Sequence, residues 1–298
     1  MVGKLLRQLW QPVSSVKKIG HYFRIIPTHQ KLTSLRPLAY VFFAYALTFP
    51  ELSLISLINI LVITLIVGTS YFLNDYYDHL LRKEDNFSQK MLRDGHSVTT
   101  FLYFWLVVSI LSSLVFSLGL IKNHPQSVLL ITLLSTGLLL AFTYSWPPLR
   151  LKDRLVGPMV FPLAATILFL EAWALHQEIN TTALVFSFII LIFQSYLEIL
   201  HQIEDAQQMN ERVRIKQDTA RTAGIIMLTV GGLLTVSLGI IRGEWMFLLG
   251  TIFWWIRLIV FTKTPDITIP LLRSRIWSPL LSVYEFLIYA IFGFISKI

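Results

Sequence analysis

With 298 residues, 55% of them hydrophobic and 14% charged, at a mean hydropathy of +0.65, the chain has a membrane protein's composition and no long polar segment. The formal charge of +8 raises nucleic acid as a partner, but the basic residues gather in short loops between apolar runs, a pattern that membrane topology explains, so nucleic-acid binding is set aside. The lack of cysteine excludes disulfides, thiolate metal sites and a cysteine nucleophile.

Residues 1–30 mix Lys4, Arg7, Lys17, Lys18 and Arg24 with Leu5, Leu6, Leu9, Trp10 and Val13 and contain no continuous apolar stretch before a small-residue cleavage site. They form a basic, partly helical interfacial segment and not a signal peptide. Residues 31–298 form one transmembrane domain. Its apolar windows, at 35–49, 52–77, 98–121, 126–145, 156–174, 183–205, 221–241, 244–262 and 276–296, predict nine helices. Lysine and arginine number seven in 1–36, four in 78–97, three in 146–155, four in 206–221 and three in 263–275, whereas the alternate loops and the C-terminus carry Lys122, Arg242 and Lys297. The expected architecture is therefore an all-α, multi-pass integral membrane protein with nine transmembrane helices around a central cavity and a cytoplasmic N-terminus. The expected setting is a bacterial inner membrane, with the active site facing the cytoplasm.

The second span runs out into "SYFLNDYYDHLLRKED" at 70–85. Asn74 and Asp78 are one helical turn apart and Asp75 is three residues from Asp78, so the three share a face. Carboxylates desolvated in lipid are costly and need water, a partner or a cation. After the fourth span, "TYSWPPLRLKDR" at 143–154 has Pro147 and Pro148 to end the helix and hold an extended turn, presenting Arg150, Lys152 and Arg154 at the membrane surface. Glu171, in the fifth span, is expected near the outer surface. The sixth span ends "QSYLEILHQIEDAQQM" at 194–209, where Gln194, Glu198, Gln202 and Asp205 follow spacings of four, four and three, with His201 beside them. Glu198 falls at membrane depth and, with His201, reads either as an acceptor-facing general base and its neighbour or as a buried structural pair. Gly231 and Gly232 suit close helix packing, and Arg257 and Glu285 suit structural roles.

Two acidic helix ends and a basic loop between them complement one ligand class. Mg²⁺ binds diphosphate oxygens, Asp and Asn ligate it from the other side, and Lys or Arg neutralises the remaining charge. At the mouth of an apolar cavity, the matching substrate is a lipid diphosphate.

At these residues the chain resembles the UbiA-type intramembrane prenyltransferase superfamily. The likeness rests on ordered features: "LRP" at 35–37, "NDYYD" at 74–78, "KMLRDGHS" at 90–97, "YSWPPLRLK" at 144–152 and "IEDAQQM" at 203–209. It implies an enzyme that moves a prenyl group from a polyprenyl diphosphate to a lipophilic acceptor by Mg²⁺-assisted ionisation. Asn74, Asp75 and Asp78 match the first acidic motif and Asp205 the first carboxylate of the second, with Glu204 beside it as a further metal ligand. Asp75, Asp78, Asp205 and Lys152 would carry the catalysis. Arg150, Lys152 and Tyr144 would bind substrate, as would Asn74, Arg82, Glu198 and His201. The chain departs from the family pattern at two acids, since Arg82 and Met209 stand where aspartates are usual. Glu84, Asp85, Glu198 and Glu204 are the candidates to compensate. A catalytically reduced lipid-diphosphate-binding or regulatory relative, a terpene cyclase on the same scaffold and, more remotely, a transporter stay open as alternatives.

Overall fold

Backbone polar groups find no water in a bilayer, so an apolar run long enough to cross it pairs its own N–H and C=O groups as a helix. The structure is a computed structural model that describes residues 36–48, 53–82, 97–154, 156–208, 217–243 and 245–263. These form α1 (Arg36–Thr48), α2 (Leu54–Arg82), α3 (Val98–Asn123), α4 (Ser127–Thr143), α5 (Gly157–Ala174), α6 (Thr181–Gln208), α7 (Gln217–Arg242) and α8 (Trp245–Lys263), with a short 3₁₀ turn at Leu151–Asp153. Five helices among the described residues are long and apolar enough to cross a membrane, as befits a multi-pass integral membrane protein. The interfacial segment 1–30 and the expected span 276–296 with Glu285 lie outside the described residues, as do the loop acids Glu84 and Asp85 and the position of Met209.

Most helix bounds fall within a few residues of the apolar windows. The exception with a consequence is α2, which continues five residues past the expected end at 77 and keeps the whole first acidic motif helical. The chain runs up and down, with successive helices packed side by side. At one end, Ser145 just after α4 meets Asn74 near the end of α2. At the other, His124 Nε2 is 3.0 Å from the Leu175 carbonyl, and Gln177 Nε2 donates to the Thr48 carbonyl at 2.9 Å.

Buried polar pairs and aromatic rings join the helices. Thr69 and Ser109 share a hydroxyl hydrogen bond of 2.7 Å between α2 and α3, and Ser109 Oγ also donates to the Leu65 carbonyl. Phe43 of α1 sits against Phe169 of α5 and Phe186 of α6, with centroids 6.0 and 5.0 Å away, and Phe186 lies 5.2 Å from Phe247 of α8. Glu171 lies in the last turn of α5 and is fully buried within the bundle, where Asn59 Nδ2 donates to Oε1 at 2.6 Å. An intramembrane carboxyl is retained where a polar group on a facing helix meets it.

Close packing of α7 and α8 has a defined cause. A Cβ on Gly231 would lie 2.2 Å from the Trp254 ring, whereas on Gly232 it would come no nearer than 3.4 Å to Trp254 Cβ. The buried Arg257 guanidinium stacks 4.6 Å from the Phe193 ring centroid, a cation–π contact that joins α8 to α6.

A pH dependence arises beyond the end of α5. His176, 2.8 Å from Ser56 Oγ and edge-on to the Tyr45 ring, has its pKa lowered to about 4 by burial and by the neighbouring His124. An unfolded histidine titrates near 6.5, so the unfolded chain takes up its proton first as pH falls. The stability that neutral His176 contributes is full above about pH 6.5 and is lost progressively towards pH 4. Thermal unfolding of the detergent-solubilised protein should therefore show a midpoint that drops over this window, with a shallower drop in His176→Gln. Identical slopes in parent and variant would refute the assignment to His176.

Candidate functional site

The acidic motif owes its position to the length of α2. Because the helix persists to Arg82, Asn74 and Asp78 project one above the other along a single face. Two carboxylates near a helix C-terminus add to the negative end of its dipole, and this local field attracts cations.

The cations come from the segment after α4. Tyr144 caps that helix, and the Pro147–Pro148 turn reverses the chain, so that Arg150 N–H donates to the Trp146 carbonyl at 2.8 Å and Lys152 N–H to the Tyr144 carbonyl at 2.9 Å. Arg150 sits in the left-handed region, with φ of 36°, a conformation that costs a non-glycine residue about 1–2 kcal/mol. Gly157, the first residue of α5, lets the 3₁₀ turn pack directly on it, because a Cβ there would lie 2.6 Å from the Lys152 carbonyl oxygen.

The consequence is an inward turn of both cations. Lys152 Nζ donates to Asn74 Oδ1 at 2.7 Å and also to Asp78 Oδ1. Arg150 Nη2 reaches the same Asp78 oxygen at 3.2 Å. The three charged side chains are only 9–11% exposed, because Arg150 and Lys152 turn from the loop onto α2. Arg154, two residues on, is exposed. Charge-assisted hydrogen bonds among partly buried partners are stronger than exposed ones, and here they hold the loop to α2.

Ser145 is the residue that spacing did not single out. It is fully buried, and its hydroxyl donates to Asn74 Oδ1 at 2.8 Å, so the Asn74 carbonyl receives both a neutral and a charged donor. Its only sequence signal is its place between Tyr144 and the diproline.

The remaining candidates divide. Asp75 and Tyr144 are half-buried beside this cluster in the chain, and Glu198 is half-buried on α6. Gln194, at the head of the α6 polar stripe, has a structural role, donating from Nε2 to the Tyr40 hydroxyl on α1. The backbone helices run through Arg82, His201, Glu204 and Asp205, but these side chains lie outside the described residues. Among the described residues no group of three or more His, Asp or Glu side chains is placed to hold a metal ion.

No protein-family profile matches the chain, and no curated protein matches it in sequence. Its fold does have solved counterparts. A UbiA homolog from Archaeoglobus fulgidus bound to GPP and Mg²⁺ superposes with a TM-score of 0.64 at 13% identity, covering 92% of this chain and 99% of the homolog. The chain has the UbiA fold. The same homolog bound to DMAPP and Mg²⁺ gives a TM-score of 0.64 at 13% identity, over 92% of this chain and 98% of that one. Its Cd²⁺-bound form gives 0.60 at 14% identity, over 90% and 98%. At such identities the shared property is the path of the helices, and on that path the UbiA fold here carries the Asn74–Asp78–Lys152–Arg150 cluster at one end of the bundle.

Proposed function

We propose that this chain is a UbiA-type prenyltransferase that takes a prenyl diphosphate at the acidic end of the bundle and transfers the prenyl group to a lipophilic acceptor within the membrane. The observation that carries the reading is the pair of largely covered cations, Lys152 and Arg150, drawn onto Asn74 and Asp78 in a chain with the UbiA fold. Neither an isolated acidic motif nor a fold alone assigns chemistry, but complementary charges converging on one helix end describe a site for an anion and its counterion.

In the proposed reaction the allylic C–O bond breaks and diphosphate leaves with the electron pair. The cationic prenyl carbon then bonds to the acceptor, which gives up a proton. Lys152 and Arg150 stabilise charge as it develops on the leaving diphosphate, and their loop hydrogen bonds spare them reorganisation at that moment. Tyr144 donates a further hydrogen bond, and Arg82 supports the diphosphate from the end of α2. Glu198 and His201, on α6, are the candidates to bind the acceptor.

The oxygen-rich donor set of Asp75, Asp78 and Asp205, with Asn74 and Glu204, suits a hard divalent cation such as Mg²⁺. When bound, such an ion supplies charge neutralisation to the diphosphate oxygens. The fit is reduced at two oxygens, Asn74 Oδ1 and Asp78 Oδ1, which Lys152 engages. Nine spans around a central apolar cavity, with the basic loops and the active site on the cytoplasmic face, complete the reading; the interfacial segment 1–30 would lie along that face.

The test supplies membranes containing the chain with labelled DMAPP, GPP and longer prenyl diphosphates plus a panel of aromatic and lipid acceptors. Labelled prenyl product is expected, falling at least about a hundredfold in Asp75→Asn, which loses an anionic ligand without losing volume. Binding of labelled diphosphate without product or diphosphate release would favour the catalytically reduced relative that Arg82 and Met209 suggest. Cyclised hydrocarbon without acceptor would favour the terpene cyclase.

A further inference from the structure

We infer that Lys152 is a resident cation of the first acidic motif: its ammonium occupies the oxygens of Asn74 and Asp78 that a divalent ion would take, so metal binding and Lys152 docking at that pair exclude one another. This deepens the proposed function and rests on the reading of the site as one for a diphosphate with its metal.

Lys152 Nζ bonds both Asn74 Oδ1 and Asp78 Oδ1, and Arg150 Nη2 adds a second cation to the Asp78 oxygen at 3.2 Å. A Mg²⁺ ion needs an oxygen lone pair at about 2.0–2.1 Å, and both lone pairs of each oxygen are already engaged, on Asn74 Oδ1 by Ser145 and Lys152 and on Asp78 Oδ1 by Lys152 and Arg150. Repulsion adds to the steric conflict, because an ion entering beside side chains only 9–11% exposed meets two positive charges with little water to screen them.

The lysine is held in place by several independent contacts. Its N–H is fixed to the Tyr144 carbonyl, its own carbonyl packs against Gly157, and Ser145 aims Asn74 Oδ1 at the ammonium. The sequence is consistent with this arrangement, since Arg82 and Met209 remove anionic ligands where the family resemblance expects them. Charge that relatives would leave to metal is in part supplied from within this chain. A diphosphate is the ligand able to draw Lys152 off, because it offers the ammonium anionic oxygens in exchange for those of Asn74 and Asp78. Metal then binds weakly by itself and more tightly in company with diphosphate.

The test is a Mn²⁺ titration of the purified, detergent-solubilised full chain, followed by electron paramagnetic resonance with no diphosphate or prenyl substrate present. Lys152→Met should bind Mn²⁺ at least about tenfold more tightly than the parent, because it removes one donor from each oxygen and takes away a positive charge. Lys152→Gln, which keeps a polar group there without the charge, should move in the same direction and serves if the methionine variant does not fold. Asp78→Asn should weaken binding. Unchanged or weaker Mn²⁺ binding in both lysine variants would overturn the inference. Because no substrate is present, tighter Mn²⁺ binding in a chain that transfers no prenyl group would refute the proposed activity alone. Prenyl transfer with unchanged Mn²⁺ binding would refute this inference alone.

Discussion

Asp78→Asn is expected to destabilise the folded protein by about 3 kcal/mol, the scale seen when one partner of a buried ion pair is removed. Asparagine keeps the volume and an acceptor oxygen, so packing is largely preserved and the loss is one of charge. What remains is an ammonium and a guanidinium, 9% and 11% exposed, without the carboxylate that both contact. Exposed pairs contribute at most about 1 kcal/mol, and a value in that range would show that Lys152 and Arg150 reach water once Asp78 is gone. Unfolding in mixed detergent–SDS micelles measures the difference, with exposed Arg154→Ala as the control expected within about 0.5 kcal/mol of the parent. The double variant Asp78→Asn with Lys152→Met should recover about 1 kcal/mol or more relative to the sum of the single changes, since the ammonium that lost its ion pair with Asp78 is then absent. Strict additivity would contradict a direct Asp78–Lys152 interaction.

Gly231→Ala should destabilise by about 1–3 kcal/mol or prevent folding, through overpacking at the α7–α8 contact. The added methyl would lie 2.2 and 2.3 Å from Trp254 Cζ3 and Cη2, distances at which one group must move. Trp254 has little freedom to yield: it is 1% exposed, and its ring is edge-on to Phe193 with centroids 5.7 Å apart. Gly232→Ala is the internal control. Its Cβ would approach no nearer than 3.4 Å, an ordinary contact, so a small effect of either sign is expected. Trp254→Phe removes the outer indole atoms that the new methyl would strike and should partly restore Gly231→Ala. Thermal unfolding compares the four proteins, and equal effects of the two glycine changes would show that the helices can separate at little cost.

The two glycines mark the boundary between what was legible in the chain and what was not. "Gly231-Gly232" announced close helix packing, because small side chains let membrane helices approach. Which of the two meets a tryptophan depends on the rotation of α7 against α8, and adjacent residues carry no information on that.

The helices themselves were written in the apolar runs. The window 98–121 became Val98–Asn123 and 156–174 became Gly157–Ala174, since backbone groups in lipid have few alternatives to pairing within a helix. Pro147 and Pro148 likewise marked the end of α4, because a proline cannot donate the next backbone hydrogen bond. Where polar residues interrupt a run, hydropathy misplaces the boundary: α2 continues to Arg82 because Asn74 and Asp78 are satisfied by Ser145, Lys152 and Arg150 instead of by water.

The sequence by itself thus determined the eight described helices, their order, the acidic face of α2 and the basic character of the segment after α4, all properties of residues close together in the chain. Only the tertiary structure decided that Lys152 and Arg150 turn inward, that Ser145 orients Asn74, that Gln194 is spent on Tyr40 and that Glu171 is buried against Asn59. Each of these is a contact between residues 71 to 154 positions apart. Such contacts follow from how helices rotate and close against one another, and a buried charge settles wherever that closure brings it a partner.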